Sequence, residues 1–484
     1  MENKKKEITL YENYCSRCHI APEIKDLPKN IWENNVLPAM AARMGIINQE
    51  NHPYYNLPFN EQSIIIQKGI FPNQPIINLE DWELLKSYII GLAPDSLNTI
   101  SYPYTSKKIS QFKENLMYLD ENISSNITYL GYNRKDENIL LGSNRGTLTS
   151  YDLKKNKYNP FGNFMSPISD VRIVNDTTYI TTMGMLLPSE ISSGNLIFHD
   201  GKGRERLLSS LHRPVHTLIM DLNNDGINEY VVSEFGDLGG QLSLWFKNDK
   251  GELTRHNLLN QPGIIKVAAI DMNKDGNKDL VVLSSQGDEG ITILYQDTPL
   301  KFSSNKVIRF SPVYGTSWFE VIDYDQDGDM DLITVHGDNA DESYTQKPYH
   351  GMRIHLNDGS NNFKETYFHP LNGATRVIAK DFDLDEDIDI ALLSTFPDYE
   401  KKPNYTFVYL ENKDSKLNNF EVFTLNNALT NRWFLMDSAD IDNDGDQDII
   451  LSSFDQVFTP VPEGLAQQWK ENNGDLLILE NVLK

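Results

Sequence analysis

Five nine-residue acidic strings recur along the chain from residue 221 onward and restrict its architecture more than any other feature. They occupy 221–229 (DLNNDGINE), 271–279 (DMNKDGNKD), 323–331 (DYDQDGDMD), 381–389 (DFDLDEDID) and 440–448 (DIDNDGDQD), and their starts lie 50, 52, 58 and 59 residues apart. Together they hold 22 of the 69 acidic residues, a density that repels itself unless cations are bound. Oxygen-bearing side chains at alternate positions, with glycine at the sixth for a tight turn, make a calcium cage. The expected ligands are Asp221, Asp271, Asp323, Asp381 and Asp440 at position 1, then Asn223, Asn273, Asp325, Asp383 and Asp442 at position 3. Asp225, Asp275, Asp327, Asp385 and Asp444 follow at position 5, and Glu229, Asp279, Asp331, Asp389 and Asp448 at position 9. Position 7 (Ile227, Asn277, Asp329, Asp387, Asp446) offers its backbone carbonyl. An EF-hand is excluded, because position 12 is Val232, Val282, Thr334, Leu392 or Leu451 where that loop needs a bidentate Glu. Up to five calcium ions are expected. Glu386 stands where the other loops have glycine, which predicts strain in the fourth.

Short apolar runs flank each loop, such as Val267–Ile270 before the second and Leu280–Val282 after it, and a third run follows, such as Ile291–Tyr295. Strand, acidic turn, strand and a further strand every 50-odd residues describe propeller blades. The pattern resembles the FG-GAP/VCBS repeats of integrin-type propellers, from about Ile127 onward and most closely from Asp221. Residues 127–484 have room for about seven blades. The first two, near 138–151 and 171–199, lack the acidic loop.

The only cysteines stand in one string, Cys15-Ser16-Arg17-Cys18-His19. C-x-x-C-H is the attachment signature of c-type haem: two thiols add to the two vinyl groups of one porphyrin, and the adjacent His reaches the iron. A thioredoxin-like C-x-x-C needs a preceding strand in a βαβ unit, and a zinc site needs a second ligand pair; neither is visible. Tyr11 and Tyr14 lie on an expected first helix, and residues 80–92 have helical apolar spacing with an acidic first turn. That segment resembles the last helix of cytochromes c. Residues 71–75, where many of that family carry the distal Met, have none, so Met40 is the favoured distal ligand of one covalent haem c. Met44, His52 and an open site remain as alternatives.

The expected organisation is a small all-α cytochrome c-like domain at 7–96, a linker at 97–124, and an all-β calcium-binding propeller at 125–484. It resembles the VCBS-repeat proteins of bacterial envelopes that carry an N-terminal cytochrome c domain. That resemblance implies export to the periplasm or cell surface. Residues 1–10 show no apolar leader, so the expectation is a mature or trimmed chain whose charged start, Glu2 to Lys6, is the stub of a tether or lipoprotein linker. No apolar run approaches the roughly 20 residues of a membrane span. A net charge of −25 argues against nucleic acid as a partner.

Insertions opposite the acidic turns carry aromatics and suggest a recognition surface: Tyr344, Tyr349 and His350 in 337–351, Tyr399 in 396–405, and Phe458 and Trp469 in 454–474. Five residues before four of the loops stand His216, Lys266, Trp318 and Arg376, expected at the central channel. They form a cationic rim, together with His212, Arg213 and Arg432, for an anionic or glycan ligand. No catalytic constellation is found. The expected function is electron transfer, docking to an envelope or redox partner, or both; the alternatives are a propeller dehydrogenase feeding its own haem and an adhesion module.

Overall fold

The computed structural model describes every residue except 1, 49–51, 56, 99–101, 103–104, 120–125, 339–343, 415–417, 457–458 and 484. Seven sheets stand in a ring, each with four antiparallel strands and one with a fifth strand added at its edge. Their innermost strands touch in the cyclic order Ile127–Asn133, Ile168–Val174, Pro214–Met220, Ile264–Ile270, Thr316–Ile322, Ala374–Lys380 and Trp433–Ala439, and the last meets the first. This is a seven-bladed β-propeller, with blades 1 to 7 numbered from those strands. Blades 1 and 2, which lack the acidic turn, are complete four-stranded sheets.

The repeat is regular because of burial. In blades 3 to 7 the second strand (Glu229–Glu234, Asp279–Ser284, Asp331–His336, Asp389–Ser394, Asp448–Ser453) is buried at every residue. Each is covered on both faces by neighbouring blades, which is why its apolar run is continuous rather than alternating. Clusters such as Leu222, Val231, Leu244, Val267 and Val282 bridge consecutive blades.

The segment 97–124 is not a plain linker. Its Phe112–Met117 pairs antiparallel with Leu476–Asn481 and supplies the outermost strand of blade 7, so the segment ahead of blade 1 and the last strand close the ring together. Lys107–Lys108 adds a short parallel strand to blade 6. Phe112 is buried against Phe382 and Tyr409. The strand left little sequence signal because an outermost strand is half-exposed and needs no strict alternation.

Ahead of the propeller lies a small helical region. It contains α1 (Glu2–Cys15), then α2 (Lys29–Ile31), a π-helical turn (Trp32–Val36) and α3 (Leu37–Arg43) in one stretch, followed by α4 (Phe59–Lys68) and α5 (Leu79–Leu92). The helix α5 starts where Asn78 accepts the Asp81 N–H at 2.8 Å, with Glu80 and Asp81 in its first turn. It stops before Pro94, which cannot continue it. The charged start lies within α1, and Lys6 pairs with Asp81 at 2.6 Å. Leu10, Leu27, Trp32, Leu37, Trp82 and Leu85 form the core.

The helical region sits on the propeller face opposite the acidic turns. The connections that meet it join second to third strands or one blade to the next, and these emerge at the other end of each blade. Val313, Tyr314 and Tyr349 pack into the helical core, and the Tyr349 hydroxyl donates to the Asp26 carbonyl at 2.7 Å. Lys68 at the end of α4 reaches the fully buried Glu190 at 2.6 Å. The Ser189 hydroxyl donates to Glu61 on the same helix. Glu190 also accepts the Leu238 and Gly239 N–H groups.

Beneath this contact, Glu289 is buried at the entry to the third strand of blade 4 and accepts the Thr316 N–H at 3.0 Å. Burial pushes its carboxyl up to about 8. The folded state therefore holds a proton that the unfolded chain releases near pH 4 to 5, so this contribution to stability is lost as pH rises toward and through about 8. Glu289→Gln stays neutral throughout, so its melting temperature should rise relative to the parent between pH 6 and 9. A constant difference across that range would contradict the assignment.

Candidate functional site

Each acidic string folds as the turn between the first and second strands of its blade, so all five lie on one face. Position 4 takes the left-handed conformation in every loop (Asn224, Lys274, Gln326, Leu384, Asn443), and so does position 6. The glycines there adopt φ of 85° to 104°, and Glu386 is held at 76°. That is the strain foreseen for the fourth loop. Glu386→Gly should stabilise the protein by about 1 kcal/mol and raise the melting temperature; an unchanged or lower melt would show that Glu386 makes a compensating contact.

Position 1 carboxylates turn back onto the N–H of position 6, as Asp271 does to Gly276 at 2.9 Å and Asp381 to Glu386 at 3.1 Å. Position 5 accepts the N–H of position 7, as Asp275 does from Asn277 at 2.8 Å. Position 9 does more than the ligand role expected of it. In the second to fifth loops one oxygen accepts the N–H of position 2 and the other an N–H of the third strand. Asp331 does this with Tyr324 and Asn357 at 2.9 and 2.8 Å, and Asp448 with Ile441 and Asn481 at 2.9 and 2.8 Å. This carboxylate ties the turn to the body of its blade. Position 4 ties it to the next blade: Lys274 pairs with Asp329 at 2.6 Å, and Asn443 bonds Glu137 at 3.0 Å.

What remains is a surplus of carboxylate oxygen. Asp323, Asp325 and Asp331 converge within 4.8 Å, as do Asp381, Asp383 and Asp385, and Asp440, Asp442 and Asp448. Asp323 Oδ1, Asp325 Oδ1 and Asp446 Oδ1 are buried without a hydrogen-bond partner. Burial pushes Glu229 up to about 7, with Asp225 and Asp221 adding to it. Burial and then Asp389 push Asp383 up to about 7. Orphaned, mutually repelling hard oxygens are the donor set a divalent cation such as calcium satisfies. The first two loops use Asn at position 3 and make no such three-carboxylate group among the described residues.

At the other end of the chain, Cys15 is the last residue of α1, half-buried against the helical core, and Cys18 is exposed; both thiols are free. Burial pushes the Cys15 thiol up to about 12. Redox C-x-x-C motifs need a lowered pKa, commonly at a helix N-terminus, and here the first cysteine closes a helix C-terminus instead. Zinc fits no better: among the described residues, groups of three convergent metal-ligating side chains occur only in the acidic loops. His19 Nδ1 lies 2.8 Å from the Ile20 carbonyl, so Nδ1 carries the proton and Nε2 keeps its lone pair for a metal. Met40 is half-buried against the same core as Cys15, whereas Met44 is 8% exposed within it. The first 96 residues, a fifth of the chain, hold nine of the eighteen exposed large apolar side chains among the described residues, including Ile20, Ile47 and Ile76. Two free thiols, an oriented imidazole and uncovered apolar surface fit a covalently attached porphyrin.

The loop aromatics expected to face a partner are mostly occupied within the chain. Tyr349 joins the helical core and His350 is fully buried. Trp469, on α6 (Leu465–Asn472), is 1% exposed and donates to the Leu429 carbonyl at 3.0 Å, with Tyr399 beside it. Tyr344 is exposed, and Phe458 lies outside the described residues. His212, Arg213 and Arg432 hydrogen-bond loop carbonyls at Ser189, Leu186 and Gln456.

His216, Lys266, Trp318 and Arg376 are each the third residue of an innermost strand, as expected for channel positions. Tyr129, Asp170 and Leu435 complete that tier. Sequence reading missed Asp170 and its neighbour Arg172 because blade 2 has no acidic loop from which to count; strand register finds them.

A family model described as FG-GAP-like repeat matches residues 221–282 and 271–334, which span the first three acidic loops. None of the curated proteins matches this chain. The chain thus carries FG-GAP-like repeats within a seven-bladed propeller.

Proposed function

We propose that this chain is an exported c-type cytochrome whose haem-bearing helical region rides on a calcium-stabilised propeller, and that it carries single electrons to or from an envelope partner. The observation that carries this reading is the C-x-x-C-H string at the end of α1, with both thiols free and His19 Nε2 left available. Cys15 and Cys18 would anchor haem c, His19 would supply the proximal nitrogen and Met40 the distal sulfur. The haem, when bound, supplies reversible one-electron chemistry, and a His/Met pair raises its potential. The chain's own part is to hold the group against the Leu10, Trp32 and Trp82 core and to exclude water from that side. Docking through Lys68–Glu190 and Tyr349–Asp26 keeps the helical region fixed on the propeller. Export follows from the maturation such attachment requires. No described helix is long and apolar enough to cross a membrane.

A reduced-minus-oxidised spectrum of matured protein, taken with candidate redox proteins and organic substrates added in turn, tests this. Low-spin c-type bands that respond to a redox protein are expected. Reduction by an organic substrate alone would instead favour a dehydrogenase, and absent bands would remove the electron-transfer reading.

A further inference from the structure

The innermost strand of every blade slips register between its first and third residues, which sets seven third residues at one level around the channel. Several reach to the next blade, as Asp170 does to the Thr217 N–H and Lys266 to the Phe319 carbonyl. The strands enter from the end that faces the helical region, so this tier lies toward that mouth. Trp318 is its centrepiece: Lys266 Nζ from blade 4 and Arg376 Cζ from blade 6 each lie 4.5 Å from its ring centroid. Most charges of the tier are matched. Lys266 bonds Glu320 at 2.9 Å, and Asp170 pairs with Arg172 at 3.0 Å. Arg376 is not. Among the described residues its one hydrogen bond goes to the Thr375 carbonyl at 2.8 Å, and no carboxylate lies within ion-pair distance. Four of its five N–H donors are therefore unspent. Burial lowers Arg376 to about 10, offset by the charge of Asp338. His216, 8% exposed, has an Nδ1 with no partner. Arg376 is partly exposed, its free N–H groups open to solvent, and a cation that faces no carboxylate is unexpected inside a chain of net charge −25.

We propose that this tier is a binding site for one small oxyanion, a carboxylate or a sulfate-like group, gripped through the paired N–H donors of Arg376, with the unpartnered Nδ1 of His216 in the same tier adding a hydrogen bond. Planar two-pronged donation suits both chemistries. The anion sits in the propeller and needs nothing from the acidic turns or from the C-x-x-C-H string, so the site stands or falls apart from the haem.

Isothermal titration of the calcium-saturated full chain with succinate, and separately with sulfate, at constant ionic strength set by chloride, tests it. Saturable one-to-one binding of at least one probe is expected: succinate alone marks a carboxylate site, and both mark a general oxyanion site. Arg376→Gln should weaken binding by about tenfold or more, and Arg376→Lys, which keeps the charge but loses the fork, by a smaller factor. Circular dichroism and melting of each variant check folding, and the lysine variant carries the test if the glutamine variant does not fold. Absence of saturable binding by the parent chain, or equal affinity in a folded Arg376 variant, would overturn the proposal.

Discussion

Removing calcium with a chelator should lower the midpoint of thermal unfolding by more than about 10 °C, and added calcium should restore it. A cation bound only by the folded state contributes about 2.7 kcal/mol at a hundredfold excess over its Kd, and about 1 kcal/mol moves the midpoint of a mid-sized domain by roughly 2–4 °C. Several loops acting together therefore exceed the stated shift even after the larger size of this chain is allowed for. The effect should be cooperative. In four of the five turns position 9 joins the turn to its third strand, and Lys274, Gln326 and Asn443 at position 4 join theirs to the next blade, so a turn that loosens releases these contacts. Magnesium should restore little, because it requires tighter octahedral geometry and holds its waters. The third loop, with two orphaned oxygens at Asp323 and Asp325, should bind most firmly, and Asp325→Ala should remove a large part of the calcium-dependent shift. An unchanged melt in chelator would mean that the carboxylates are satisfied by their own N–H bonds and would end the structural role for calcium.

The second large effect concerns the thiols. In a host with c-type maturation, Cys15→Ser combined with Cys18→Ser should abolish covalent haem entirely, measured as haem staining on a denaturing gel. His19→Ala should keep some attachment but lose the low-spin spectrum, because the imidazole holds the iron rather than the porphyrin edge. Met40→Ala should shift the reduced spectrum at little cost in stability, since Met40 is only half-buried. Met44→Ala should instead destabilise by about 2–5 kcal/mol as a core truncation and leave the spectrum in place. If Met44→Ala shifts the spectrum and Met40→Ala does not, the distal assignment moves to Met44. The melting behaviour of the thiol variants in calcium should stay close to the parent for the propeller, whose ring closes without the helices through Phe112–Met117.

How much of this was legible differs by element, for physical reasons. The seven blades and the face of the acidic turns were readable because second strands buried on both sides must be continuously apolar, and because oxygen-bearing residues recur at the same alternate positions in every loop. The helix α5 was readable for similar reasons: its acidic first turn, apolar stripe and terminal proline each mark a boundary. The closing strand was not, because Phe112–Met117 is half-exposed and its partner lies at the far end of the chain. The docking of the helical region was equally hidden. Lys68 meets Glu190 across 122 residues and Tyr349 meets Asp26 across 323, and neither pair differs in sequence from ordinary surface residues. That is also why Tyr349 and Trp469 suggested a surface for partners: an aromatic in a loop looks the same whether it awaits another protein or packs within its own chain. Position 9 was read as a ligand only, since its two N–H partners come from backbone that has no side-chain signature.

The most direct test is intact and peptide mass spectrometry of protein matured with the c-type attachment machinery. The account predicts the polypeptide of 55.4 kDa plus one haem, localised to the peptide that contains Cys15, Cys18 and His19. The bare polypeptide mass, or a zinc ion held between the two sulfurs, would contradict it.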